Sequence, residues 1–398
     1  MKFDSWLVPP RAPILTFPRK GGRNSRSDRA RPRRGGAVLG LLALLAGGCA
    51  TGLGPMALRS ERPDYNQQIA RSADAEMLLN LVRLRYNDTP LFLELGTVVA
   101  QYGYDASLNA SGAFGSGASG TAGTGLMYAE KPTITYSPLA GDKFATRMMT
   151  PIPLDSVILL TQTGWSDDRL LLLVLQRAND VFNAPTATGP TPAHKPDYES
   201  FADLADRLHR LQAAGLAGLN WATADPGAHP PGRRLEFWLH PPADSHSPLA
   251  SDVAAVRRHL DLQPGREDFP VTEYPFKRQP DQVGLLSRSL LAVLYFLSQS
   301  VEPPESDVQA HLVATTLDDD GRPFDWRRVT GRVMAIHSQQ DRPQNAYVTV
   351  AYRGSWFYIA DDDHSSKATF GLLNFLFSLT AESGRGGSPL LTLPVGGK

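Results

Sequence analysis

Tyr347-Val348-Thr349-Val350-Ala351-Tyr352-Arg353-Gly354-Ser355-Trp356-Phe357-Tyr358-Ile359 reads as two short strands joined at Arg353-Gly354. Val329–His337, just before them, completes an expected three-stranded antiparallel meander. Asp363 or Ser365 then caps a helix running through Leu379, and Leu390–Val395 returns as a strand. Antiparallel strands beside helices, in no regular alternation, place the chain in the α+β class rather than the doubly wound α/β class.

Working back from that end, residues 282–300 read as an apolar core helix interrupted by Ser287, Arg288 and Ser289. Ser251–Leu262 reads as a short helix, Leu235–Leu239 as a strand and Tyr198–Ala214 as an amphipathic helix. The proline-rich segment 185–197 is the expected boundary between an N-terminal α+β region, 64–184, and a C-terminal one, 198–398. Asp167–Phe182 reads as one leucine-rich helix. Asp64-Tyr65-Asn66-Gln67 has capping-box spacing, and Ile69, Ala73, Met77, Leu81 and Leu84 follow at helical intervals until Asn87-Asp88-Thr89-Pro90.

The period then changes. Tyr102, Tyr104, Ala106, Leu108 and Ala110 alternate with Gln101, Gly103, Asp105, Ser107, Asn109 and Ser111. Residues 111–125 are almost wholly Gly, Ser, Ala and Thr, and strand composition resumes from Leu126 to Tyr136. The spacing predicts a long β-hairpin, 98–136, with a glycine-rich tip. Its small apolar residues, Ala106 and Ala110, suit an ordinary sheet with one face on a core better than a lipid-facing surface.

Arg29, Arg31, Arg33 and Arg34 precede an apolar run, Ala37–Ala46, which ends in Gly47-Gly48-Cys49, the single cysteine of the chain. That order resembles a bacterial lipoprotein signal peptide. Ala46 stands where a lipobox usually carries leucine, with Leu45 one step further out, and residues 1–28 are longer than an ordinary basic leader. The resemblance implies removal of residues 1–48, lipidation of Cys49 and a tether over 49–63. The apolar run is shorter than the ~20 residues of a membrane-spanning helix. Ala50 after the cysteine, rather than Asp, resembles the sorting signal for the outer membrane, facing the periplasm. The whole chain carries 40 basic and 40 acidic residues; the leader takes 10 basic and two acidic with it, so 30 and 38 remain, a net charge of −8. An acidic product argues against nucleic acid as a partner.

Two further stretches carry a second resemblance. Arg71-Ser72-Ala73-Asp74-Ala75-Glu76-Met77-Leu78-Leu79-Asn80-Leu81-Val82-Arg83-Leu84-Arg85-Tyr86 is one. Arg353–Ile359, followed by Ser366-Lys367 and a leucine-rich helix, is the other. Both resemble a group of uncharacterised bacterial envelope lipoproteins. That group carries no assigned activity, so the resemblance implies no catalytic residues.

Few motifs promise chemistry. Gly115-Ser116-Gly117-Ala118-Ser119-Gly120 matches G-x-G-x-x-G but lies in a hairpin tip, not between a strand and a helix. Asp318-Asp319-Asp320-Gly321 lacks the first and last ligands of a calcium loop. Asp361-Asp362-Asp363-His364, where strand becomes helix, reads first as a helix cap and second as an acid–base or metal cluster. Asp361, Asp363, His364 and His337 are the candidate site residues; no cofactor or metal is expected. The sequence thus predicts a non-enzymatic outer-membrane lipoprotein with a binding or structural role, membrane-held through Cys49 and with a protein partner in the envelope. The alternatives are a subunit of an oligomeric export or pore assembly donating residues 98–136, and a periplasmic hydrolase.

Overall fold

The computed structural model describes residues 53–112, 120–165, 167–223, 232–273 and 279–380. Cys49, the leader, most of the glycine-rich motif and the expected strand Leu390–Val395 lie outside the described residues. The chain divides into two units, Met1–Tyr65 and Asn66–Lys398. The described part of the first is the opening of helix α1 (Leu53–Arg85); apart from that opening, all that follows concerns the second.

Helix α1 starts earlier than expected, so Asp64 lies inside it rather than at its cap, and residues 53–63, expected as a tether, are helical. The apolar stripe marks only the packed half: Met77, Leu78, Leu81, Val82 and Leu84 are buried, and a sequence pattern reports burial rather than helix length. Asn87, at φ 58°, ends the helix in the left-handed region, with Asp88 N–H donating back to the Arg83 carbonyl at 2.8 Å. The buried Asn80 side chain then pairs with both backbone groups of Leu91, at 2.7 and 2.9 Å. Glu76 Oε1 accepts from Leu93 N–H at 2.7 Å. Helix α1 thereby aims the chain into strand β1.

β1 (Leu93–Gly112) and β2 (Gly120–Pro138) form an antiparallel ribbon that pairs from Leu93 with Pro138 out to Gly112 with Gly120, with one irregularity between Leu95 and Thr97. The expected hairpin is present and extends further at its root. It is a two-stranded sheet of its own: no other described strand pairs with either edge.

The central sheet has six strands. Helices α2 (Leu154–Gln162) and α3 (Asp167–Val174) lead into β3 (Leu175–Ala178) and β4 (Val181–Phe182). Next come α4 (Glu199–Ala213), β5 (Ala217–Thr223), β6 (Arg233–Leu239), α5 (Pro248–Leu260), β7 (Asp268–Glu273), β8 (Val283–Ser287) and α6 (Leu290–Ser298). Strand order is β4-β3-β8-β7-β6-β5, antiparallel except between β7 and β8. β3 precedes the proline-rich segment and pairs with β8 beyond it, so residues 185–197 do not separate two bodies. Helix α4 lays Phe201, Leu204 and Ala205 over Ala178, Phe237 and Leu285 of the sheet, around an apolar cavity of about 50 Å³. It is tied to α5 by the buried Asp252 carboxylate, which accepts from Arg207 at 2.7 Å and twice from Arg210 at 2.8 Å.

Two expected helices are instead helix–strand junctions, and one side chain sits between them. Arg288 is fully buried. Its Nη1 donates to the carbonyls of Leu172, Leu173 and Leu175 at 2.9, 3.1 and 2.8 Å, and Nη2 donates to the Asn183 carbonyl. Asn183 Nδ2 adds bonds to Leu172 and Leu175 carbonyls at 2.9 and 2.7 Å. The last carbonyls of a helix have no partners within it and attract positive charge; here they receive a guanidinium. The chain leaves α3 at Val174 and continues as β3, so the expected helix Asp167–Phe182 stops halfway. The segment around Arg288 changes too: β8 ends at Ser287, and Ser289 Oγ accepts from Ala292 N–H at 3.2 Å to start α6. The expected helix over 282–300 is therefore a strand, an arginine and a shorter helix. The guanidinium lies 4.2 Å over the Phe296 ring.

At the C-terminal end, β10 (Ala346–Tyr352) and β11 (Ser355–Ala360) pair as expected around Arg353 and Gly354, whose φ angles are 48° and 82°. Two positive φ values suit a two-residue hairpin turn. The third strand differs: residues 329–336 are not a strand, a helical turn occupies Arg327–Thr330, and β9 (His337–Gln339) pairs with β11 rather than β10. The order β10-β11-β9 centres the buried Phe357 and Ile359. Asp363 caps helix α7 (His364–Leu379), accepting from Ser366 N–H at 3.0 Å.

Arg288→Met should lower unfolding free energy by ~3 kcal/mol or more in urea melts, because several buried carbonyls lose a charged donor together. Arg288→Lys should recover only part, since an ammonium lacks the planar fork. A loss below ~1 kcal/mol for the methionine variant would show that these carbonyls are satisfied without the guanidinium.

Candidate functional site

Of the four side chains singled out in the sequence, Asp363 and His337 are near enough for each to favour the other's charged form, but no hydrogen bond joins any two of the four among the described residues. Asp361 accepts from Lys367 Nζ at 2.6 Å. Asp363 spends both oxygens on Ser366, one on its backbone and one on its hydroxyl; against burial, which pulls the other way, those bonds hold its carboxyl below the ordinary aspartate range. His364 is exposed at the first turn of α7. The acidic run is thus a helix cap at Asp363 with a surface ion pair beside it. Among the described residues no group of three histidine, cysteine or acidic side chains is placed to hold a metal ion.

His337 has a different neighbour. Its Nδ1 lies 2.9 Å from Glu302 Oε2, and its ring packs near Tyr358. The hydrogen bond to Glu302 raises the imidazole pKa above its ordinary 6.5, and the same bond lowers the Glu302 carboxyl below 4.5. A general base held by a carboxylate needs a nucleophile or substrate proton within hydrogen-bond reach. The hydrogen bond formed by His337 among the described residues goes to Glu302 alone.

Glu302 also borders a cavity of about 270 Å³ whose wall includes Arg85, Gln299, Ser300, Trp326 and Arg327. Arg85, the last residue of α1, is buried with no carboxylate partner among the described residues. Its Nη1 donates to the Ala314 carbonyl at 3.0 Å and to Thr191 Oγ1 at 3.4 Å, while Nε and the Ser300 hydroxyl have no hydrogen-bond partner among the described residues. Burial pushes the Arg85 pKa down to about 10. Arg327 at the rim is neutralised by Asp325 at 2.9 Å. This cluster ties the end of α1 to the proline-rich segment and to the loop around Ala314.

The root of the β1–β2 ribbon is the third constellation, and sequence patterns gave no sign of it. Arg147, buried in the turn after β2, donates to Glu94 Oε1 at 2.5 Å and to the Phe377 carbonyl at 2.8 Å. Its guanidinium lies 3.8 Å over the Phe377 ring, which stacks on Phe92 at 5.7 Å. Burial lowers the Arg147 pKa against the pull of Glu94. The start of β1, the turn after β2 and the end of α7 are thereby clamped at one point. Glu94 and Arg147 stand 53 residues apart, so only the three-dimensional fold reveals the pair.

No protein-family model, curated protein or solved structure matches this chain.

The His337–Glu302 pair has a predictable pH dependence. A raised imidazole pKa contributes stability fully below the ordinary value of 6.5, which is lost as pH rises through the folded value. A lowered carboxyl pKa contributes fully above 4.5, which is lost as pH falls through the folded value. The stability gap between wild type and His337→Gln should therefore be widest between pH 4.5 and 6.5 and shrink toward alkaline pH. A gap independent of pH would contradict an ionised pair.

Proposed function

We propose that this protein is a lipoprotein of the outer membrane, facing the periplasm, with a binding or structural role rather than an enzymatic one. The observation that carries the reading is the order of its leader: Arg29–Arg34, then Ala37–Ala46, then Gly47-Gly48-Cys49 ahead of an acidic body. Diacyl anchoring at Cys49 would hold the body at the membrane, since two acyl chains bind a bilayer stably where one does not.

The ribbon supports the binding half of the proposal. An edge strand offers a row of backbone donors and acceptors, which other chains use by adding a strand. Both edges of β1–β2 are unpaired by other strands among the described residues, and Arg147 fixes the ribbon root to α7. A rigidly based ribbon with two open edges is a device for meeting a partner.

Membrane fractionation of wild type against Cys49→Ser tests the anchor. Wild type should sediment with the outer membrane and incorporate labelled palmitate, while Cys49→Ser should remain unprocessed or soluble and unlabelled. Identical fractionation of the two proteins would overturn the lipoprotein reading.

A further inference from the structure

We infer that the β1–β2 ribbon pairs edge to edge with the ribbons of further copies of this chain and closes into a barrel through the membrane that holds Cys49. The inference rests on the lipoprotein reading and names the partner: a second copy.

A two-stranded hairpin alone in water is marginally stable at best. This one pairs from Leu93–Pro138 to Gly112–Gly120 without a third strand among the described residues. At roughly 3.3 Å per residue its strands would reach about 60 Å, and their backbone groups on both outer edges need partners. The two edges complement each other. β1 and β2 run antiparallel, so β1 of one copy can pair antiparallel with β2 of the next. Repeating that step around a ring leaves no edge and always gives an even strand number, as in membrane barrels.

The register sorts the two faces. Tyr104 pairs with Tyr128 and Ala106 with Leu126, on one face; Gln101 pairs with Lys131 and Ser111 with Thr121, on the other. Edge-to-edge pairing of copies carries this alternation around the whole ring, with an apolar exterior and a polar lumen. From Tyr104–Tyr128 to Gly112–Gly120 there are nine register pairs, close to the ~9–11 residues of a membrane-crossing strand. Over the whole sequence from Tyr104 to Tyr128 the single charged residue is Asp105, at a polar-face position. Tyr104 and Tyr128 pair at one level, where membrane strands carry an aromatic girdle, and Tyr102 pairs with Glu130 two residues nearer the root. Charges return on the root side of that level, at Glu130, Lys131 and Glu94.

The test uses full-length lipidated protein in mild detergent, sized by gel filtration with light scattering, beside a variant lacking Tyr104–Tyr128. Because no other strand among the described residues pairs with the ribbon, the shortened variant should keep the wild-type circular dichroism and urea transition of the body. Wild type should be a discrete oligomer and release dye from vesicles of phosphatidylethanolamine and phosphatidylglycerol. The shortened variant should be monomeric and release dye only at background. Leu126→Arg, on the apolar face, should abolish release, whereas Ser111→Arg, on the polar face, should retain it. Monomeric wild type, an oligomer that survives the shortening, dye retention by the wild type, or a ribbon occupied by a different protein would each overturn the inference. A wild type that is lipidated but monomeric defeats the ring alone. Equal fractionation of wild type and Cys49→Ser defeats the anchor instead.

Discussion

The body of this protein is organised around one buried cation. Among the described residues Arg288 has no carboxylate partner; its charge is met by the carbonyls of Leu172, Leu173, Leu175 and Asn183 and by the face of Phe296. Burying an unpaired guanidinium costs several kcal/mol unless polar groups replace its water. Four backbone carbonyls supply that replacement only if α3 stops at Val174, β3 begins at once and Asn183 folds back over the junction. The same residue donates its backbone N–H to Val174 at 2.7 Å, and its carbonyl accepts from Ile152 N–H at 3.0 Å. Two helix–strand junctions, one before and one after the proline-rich segment, are thus a single piece of hydrogen bonding.

This explains which parts of the fold were legible in the sequence. Arg353-Gly354 announced the β10–β11 turn because the signal is local, and the alternation from Gln101 to Ser111 announced the ribbon for the same reason. Helix α4 followed from its amphipathic stripe. The leucine run 170–175 was read as part of one long helix because nothing nearby ends it; the group that does is Arg288, 113 residues beyond Leu175. Residues 329–336 look like a strand by composition, yet Trp326 starts a helical turn there with Thr330 N–H donating to its carbonyl at 2.9 Å. The proline-rich segment looked like a linker by composition, but Arg85 and Thr316 bind it to the body through Thr191 and the Pro192 carbonyl.

Site chemistry was less legible, for the same reason of range. The helix-cap reading of Asp363 needed only its own neighbours and is what the structure shows. The partner of His337 is Glu302, 35 residues away, and the ribbon clamp joins Glu94, Arg147 and Phe377 across most of the chain. These pairs leave no periodic trace. Their effect is architectural: the ribbon leaves the body at a fixed root, while its own length carries backbone hydrogen-bonding groups that no other described strand pairs.

The central claim is that body and ribbon are stabilised differently, the body by its own buried contacts and the ribbon by other copies. Amide hydrogen exchange on detergent-solubilised protein, separated by size before labelling, tests this directly. Leu172–Leu175 and β8 should exchange slowly in every size fraction, and β1–β2 slowly only in the oligomer. A monomer whose ribbon exchanges as slowly as the oligomer's, or an oligomer whose ribbon exchanges rapidly, would contradict the account.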